Sequence, residues 1–158
     1  MKGKHTRAVL VVGIILLLDQ VTKGIVMQGL SLREPLEIIP GFFTLTYIRN
    51  AGGAFGLLAG EATRTRAFFF LAVSGLALGV IVYLYTKLPP GKPWIAAALA
   101  MIFGGALGNM VDRLRFGEVV DFLDFHIGTV HWPAFNVADS AISVGAGILF
   151  FCALSRRI

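Results

Sequence analysis

Ala67-Phe68-Phe69-Phe70-Leu71-Ala72-Val73-Ser74-Gly75-Leu76-Ala77-Leu78-Gly79-Val80-Ile81-Val82-Tyr83-Leu84-Tyr85 runs without one charged side chain. About 20 apolar residues in an α-helix cross the ~30 Å hydrocarbon core of a bilayer. Three other stretches read the same way. They are Ala8 to Met27, interrupted by Asp19, Gln20 and Lys23; Trp94 to Val111; and Ala134 to Leu154, with Asn136 and Asp139 near its start. The composition agrees, since 56% of the 158 residues are hydrophobic, 15% are charged and the mean hydropathy is +0.79. Soluble domains carry about 25% charged residues, and a soluble chain this short has too much surface to bury so much apolar material. The expected fold is an all-α polytopic membrane protein, a single membrane domain with spans near 8–27, 67–85, 94–111 and 134–154.

The net charge of +5 and pI of about 9.8 do not point to nucleic acid, because no basic stripe is interleaved with aromatics. The charge reads instead as a topology signal. Four spans place Lys2, Lys4, Arg7, Lys87, Lys92, Arg156 and Arg157 on one side with no acid. Lys23, Arg33, Arg49, Arg64, Arg66, Arg113 and Arg115 fall on the other, with every Asp and Glu. The basic counts tie. The first set, however, hugs the helix ends in short segments, where the positive-inside rule acts, whereas Arg33 and Arg49 sit in a long loop. Both termini are therefore expected in the cytoplasm, and the acidic face at the periplasmic or outer side. The basic Met1–Arg7 and apolar Ala8–Leu18 also resemble a signal peptide. Asp19-Gln20-Val21-Thr22-Lys23 follows in place of a small-x-small cleavage site, which favours an uncleaved first helix.

The outer loops, 29–65 and 112–133, are too long for turns. Phe43-Thr44-Leu45-Thr46-Tyr47 alternates apolar and polar after a Pro40-Gly41 turn signal, the period of a half-buried strand. Phe116 to Pro133 has room for more extended chain, so a small extracytoplasmic β-sheet is expected on the membrane surface. Gly75-x-x-x-Gly79 and Gly104-x-x-x-Gly108 are small-residue pairs that let helices approach closely. Packing within one chain is expected of both, and the protein is expected to be a monomer. Lone Cys152 forms no intramolecular disulfide and reads as a core or lipid-facing residue.

Charged groups near hydrocarbon cost several kcal/mol, so they pair, face a cavity or act. Asp19 and Lys23 are spaced i,i+4 and read as an ion pair or as a headgroup or substrate contact. Asn109, Asp112 and Arg113 share a face at the end of the third span, with Asp112 expected in a structural network with Arg113 or Arg115. Asp121 lies in an apolar run, Val119-Val120-Asp121-Phe122, and Asp139 opens the fourth span. The third helix rises to one membrane face and the fourth descends from it, so the two carboxylates can meet at one depth. Two close carboxylates do not both ionise cheaply, and one then holds a proton, as acid–base hydrolysis requires. Other plans fit poorly: there is no H-E-x-x-H, no G-x-S-x-G, and His126 and His131 have no neighbouring cysteines for zinc.

Five motifs stand in order: Asp19-Gln20-x-Thr22-Lys23, Asn50-Ala51-Gly52-Gly53-Ala54-Phe55-Gly56, Gly104-Gly105-x-x-Gly108-Asn109-x-x-Asp112-Arg113, Val119-Val120-Asp121-Phe122 and Phe135-Asn136-Val137-Ala138-Asp139-Ser140. Together they resemble lipoprotein signal peptidase, the bacterial type II signal peptidase, over nearly the whole chain. The resemblance implies an aspartyl endopeptidase that cuts diacylglyceryl-modified prolipoproteins just before the lipidated cysteine. It implies Asp121 and Asp139 as the catalytic dyad and Asn50, Gly104, Asn109, Arg113 and Asn136 lining the substrate site. Asp19 and Lys23, at the polar end of the first helix, join them as substrate-binding candidates. It implies four helices and a small sheet, membrane lipids as surroundings, no metal or cofactor, and inhibition by globomycin. Ala51 departs from the threonine of many relatives without touching a catalytic position. Two rivals remain: a proton or cation path, which needs acids at mid-membrane depth, and a non-catalytic scaffold, which leaves the aspartates dispensable.

Overall fold

The computed structural model describes residues 2–32, 35–52 and 64–155. Among the described residues four α-helices and four strands follow in the order α1 (Lys2–Gly29), β1 (Leu36–Ile39), β2 (Phe43–Asn50), α2 (Arg64–Lys87), α3 (Pro93–Phe116), β3 (Val119–Ile127), β4 (Val130–His131) and α4 (Val137–Leu154). All four helices are long and apolar enough to span a membrane. Leu17, Ile25, Phe68, Leu76 and Phe150 are exposed on them, which suits hydrocarbon and would be costly in water.

α3 is the most buried helix and packs against α1, α2 and α4. Small residues permit this. A side chain at Gly104 would meet Ile15 Cβ at 3.2 Å and the Val12 backbone at 3.3 Å, both on α1. One at Gly105 would run into the Ala138 carbonyl oxygen of α4, and one at Gly145 of α4 would lie 2.7 Å from Ile102 Cγ1 and 2.8 Å from the Ala98 carbonyl oxygen of α3. The second small-residue pair behaves otherwise. Gly75 and Gly79 have nothing near the place of a side chain, which corrects the expectation that both pairs pack within the chain. α2 flanks the bundle, and this face of it points away from the other helices.

Helix ends follow local chemistry. α3 starts with Pro93 in its first turn, where the missing N–H costs nothing. It runs past Val111 to Phe116, because its last polar turn is satisfied by partners. It stops at Gly117, whose φ of +75° allows the left-handed cap that returns an N–H to the Arg113 carbonyl at 2.9 Å. α4 starts at Val137, later than hydropathy alone suggests, because Asn136 caps it. The Asn136 side chain accepts from Asp139 N at 2.9 Å, and the Asp139 side chain accepts from Asn136 N at 3.3 Å.

The strands form one antiparallel order, β1-β2-β3-β4. β2 pairs with β3 from Asn50 opposite Val119 to Phe43 opposite Phe125, with an irregularity between Leu45 and Ile48. The expected strand at Phe43–Tyr47 is thus present and longer; β1 had no clear sequence signal. Val26 of α1 with Tyr47, Val120 and Phe122 forms a core that fixes the sheet to one end of the bundle. A second cluster of Ile81, Ile95, Leu99 and Cys152 holds α2, α3 and α4 together away from the sheet. Near the start of α1, Lys4 donates to the Leu88 carbonyl at 3.0 Å and lies over the Tyr85 ring.

Candidate active site

The ends of α1 and α3, the start of α4 and the first residues of β3 meet under the sheet, and the polar residues of all five motifs converge there. Asp121 comes from β3 and Asp139 from the first turn of α4. Asn136 joins them: its Nδ2 donates to Asp121 Oδ1 at 2.7 Å and to Asn109 Oδ1 at 3.2 Å. Asn109 in turn donates from Nδ2 to Asp139 Oδ1 at 2.8 Å. Asn50, at the end of β2, donates from Nδ2 to Asp121 Oδ2 at 3.0 Å. Both carboxylates therefore accept hydrogen bonds on both oxygens.

The carboxyl group of Asp121 is pushed up from its usual 3.8 to about 7. Burial is the largest cause, and the charge of Asp139 adds to it. The amides of Asn50 and Asn136 and the charge of Lys23 pull the other way without cancelling it. A carboxyl that still holds a proton at neutral pH, beside a second carboxyl, is the pairing acid–base chemistry uses.

Asp19 and Lys23 are 0% and 1% exposed and form the ion pair that was one of their two readings. Lys23 Nζ lies 2.9 Å from Asp19 Oδ2 and 2.8 Å from Asp112 Oδ2, and donates to Asn109 Oδ1 at 3.1 Å. The helical i,i+4 spacing is an ion pair, but one buried beneath the carboxylates. Asp19 also accepts from the Ala138 backbone N–H at 3.0 Å, which ties α1 to the start of α4. Asp112 does pair in a network, yet with Lys23 and the Val120 N–H in place of Arg113 or Arg115. The reason is direction: the Asp112 side chain points toward α1, and Arg113, one residue on, points elsewhere.

Gly104 packs closely against α1. Arg113 donates to the Gly52 carbonyl at 3.1 Å and lies over the Phe70 ring, so it ties α3 to the chain after β2 and to α2. The glycine-rich run from Asn50 continues through Gly53, Ala54, Phe55 and Gly56, which lie outside the described residues. Gln20 was given no site role from the sequence, only a place in the first motif, yet its amide donates to Asp112 Oδ1 at 2.9 Å and to the Gly108 carbonyl at 3.3 Å. A glutamine beside an acid within an apolar span is the signal that marks it. Among the described residues no buried side-chain nitrogen or oxygen lacks a partner, as a low-dielectric site demands.

The architecture has solved counterparts. One bacterial membrane enzyme superposes with a TM-score of 0.85 at 34% identity, covering 95% of this chain and 88% of its own. Another gives 0.82, also at 34%, covering 94% and 93%. Fold and likeness define the class, a multi-pass bacterial membrane protein. The sequence narrows it. Residues 11–155 match the family described as signal peptidase (SPase) II. The lipoprotein signal peptidase of Desulforapulum autotrophicum is 49% identical over 152 residues, 96% of this chain and 94% of that one. That of Syntrophus aciditrophicus is 51% identical over 133 residues, 84% and 83%. The chain belongs to the signal peptidase II family and is a membrane peptidase.

Proposed function

We propose that this peptidase is an aspartyl endopeptidase of prolipoproteins, with Asp121 and Asp139 as its catalytic dyad. It cuts the peptide bond just before a diacylglyceryl-modified cysteine. The observation that carries the reading is the pair itself: two carboxylates from separate elements, held in one frame of three asparagine amides, with Asp121 pushed up to about 7. One carboxylate takes a proton from water, which attacks the scissile carbonyl, while the neutral partner donates to the carbonyl oxygen. Asn50 and Arg113 flank the substrate. Asn109 and Asn136 hold the dyad, and Lys23, Asp19 and Asp112 brace it from below.

Both termini face the cytoplasm and the dyad faces the periplasmic or outer side, where a lipidated precursor presents its signal peptide within the same bilayer. The placement of basic residues in short segments supports this orientation. Globomycin blocks the dyad, and no metal takes part. The deciding assay is cleavage of a diacylated prolipoprotein by the purified protein, with and without globomycin. Asp121→Asn or Asp139→Asn abolishes cleavage while the protein still inserts; full cleavage by either variant refutes the dyad.

A further inference from the structure

Lys23, inside the bundle, has its charge balanced by Asp19 and Asp112. Arg49 of β2 and Arg115 of α3 are placed differently, and they meet at one aromatic ring. The guanidinium carbon of Arg49 lies 5.0 Å from the centre of Phe116, and that of Arg115 lies 4.7 Å from it. Tyr47 adds a second ring 5.7 Å from Arg49, and its hydroxyl accepts from Arg49 Nε at 3.0 Å. Arg115 donates from Nη1 to Gln20 Oε1 of α1 at 3.3 Å. A guanidinium has five N–H donors, and one laid over a ring keeps the rest of its planar fork open to an anion. Among the described residues no carboxylate forms an ion pair with either arginine, Glu118 two residues past Phe116 included.

The pair stands at the end of a membrane span. α3 stops at Phe116, and Arg115 is exposed in its last turn. Phe116 packs on the cluster of Val26, Tyr47, Val120 and Phe122, so its ring is fixed where α1, α3 and the sheet join. Val21 of α1 follows Gln20, Leu114 of α3 precedes Arg115, and the two are 48% and 64% exposed. Arg113, by contrast, reaches the Gly52 carbonyl and the Phe70 ring. Two residues turn an α-helix by about 200°, so Arg115 faces another side of α3. Uncompensated charge beside hydrocarbon is costly, and two cations sharing one ring repel each other. A counter-ion that itself belongs in a bilayer removes both penalties.

We propose that Arg49, Arg115 and Phe116 form a phospholipid site in the leaflet on the sheet's side of the membrane. The lipid phosphate meets the two guanidiniums, and an acyl chain runs along Val21 and Leu114. Arginine suits this because its fork matches phosphate oxygens. The exposed apolar residues beside the charges select a lipid over a free anion, since inorganic phosphate leaves that surface uncovered. A diacylglyceryl group carries no phosphate, so the site is separate from the one that would take a lipidated precursor. Lipid binding here is independent of the chemistry proposed for Asp121 and Asp139.

Native mass spectrometry of the full-length protein in detergent, titrated with dipalmitoyl phosphatidylglycerol, tests the site. Arg49→Gln and Arg115→Gln each weaken the first bound lipid about fivefold, and the double variant roughly 25-fold, as expected for basic side chains at an anionic membrane surface. Dipalmitoylglycerol, with the same chains and no phosphate, binds wild type and double variant alike, and inorganic phosphate does not displace the lipid. Equal binding of phosphatidylglycerol to wild type and double variant overturns the site. Loss of dipalmitoylglycerol binding in step with phosphatidylglycerol makes it an apolar groove, and displacement by inorganic phosphate makes it a site for soluble anions; either result also refutes the phospholipid assignment. Should Arg49→Gln not fold, Arg115→Gln alone carries the test, because its side chain is exposed at the helix end. Phosphatidylglycerol then raises the melting temperature of wild type more than that of Arg115→Gln, and equal shifts count against the site.

Discussion

β3 carries two aspartates, three residues apart, in two different worlds. Its first four residues, Val119 to Phe122, are buried against α1 and the bundle end, and Asp121 among them is enclosed by asparagines. Its far half is more open: Leu123 to His126 are part-buried and Ile127 is 79% exposed. There Asp124 meets His131 of β4 at 2.9 Å, and the His131 ring stacks on His126. The residue type is the same on one strand. What differs is the number of fixed donors, the access of water and the nearness of a second carboxylate. An aspartate gains unusual chemistry from its enclosure, and substitutions at the two ends should diverge accordingly.

The largest divergence is expected at the buried end. Asp121→Asn should lower cleavage by about 10²–10⁴-fold, the usual share of a general acid or base. The same variant should gain stability at high pH. A carboxyl raised from 3.8 to about 7 in the folded state stabilises the fold fully below the lower value, and loses that contribution as pH rises through the upper one. Wild-type melting temperature should therefore fall between about pH 4 and about pH 7 relative to the asparagine variant, and stay lower above that. Equal pH profiles for the two proteins would mean that Asp121 is not buried as described.

Beneath the buried end, Lys23→Met is the next largest effect. It leaves Asp19 and Asp112 facing each other without their cation, and breaking a buried pair costs about 3–5 kcal/mol. Thermal unfolding in detergent measures this. A loss below about 1 kcal/mol would show that the network is solvated.

Gly105→Ala comes third. Its new methyl has no room against the Ala138 carbonyl and would lie 2.8 Å from Ile142 Cγ1. Overpacking of this kind costs about 1–3 kcal/mol. Because Ala138 neighbours Asp139, cleavage should fall along with stability. Gly75→Ala, in the pair that faces away from the bundle, should change neither.

Much of this contrast was legible in the sequence. Hydropathy located four spans, and alternation located β2, because both are periodic and need no partner. That Asp121 and Asp139 could come together followed from counting crossings. The partners of Asp112 were not legible. Its nearest cations in sequence are Arg113 and Arg115, and only the crossing of α1 over α3 brings Lys23 closer. Nor could spacing separate a buried ion pair from a substrate contact at Asp19 and Lys23, since both readings place the residues on one helix face. Gly75 and Gly104 look alike as motifs; which helix face meets a neighbour is decided by packing.

The smallest effect is expected at the open end of β3. Asp124 lies within hydrogen-bonding distance of a half-exposed imidazole. Exposed ion pairs are worth about 0–1 kcal/mol, because water competes for both partners. Asp124→Asn keeps the shape of the side chain and an oxygen facing the ring, so stability should change by less than about 1 kcal/mol. Cleavage should change by less than about tenfold, the rate equivalent of ~1.4 kcal/mol. Side-by-side assay of Asp121→Asn and Asp124→Asn on one lipidated precursor makes the comparison direct. Were Asp124→Asn to stop cleavage while Asp121→Asn spared it, the working carboxylate would lie at the open end of the strand, and enclosure would no longer explain the chemistry.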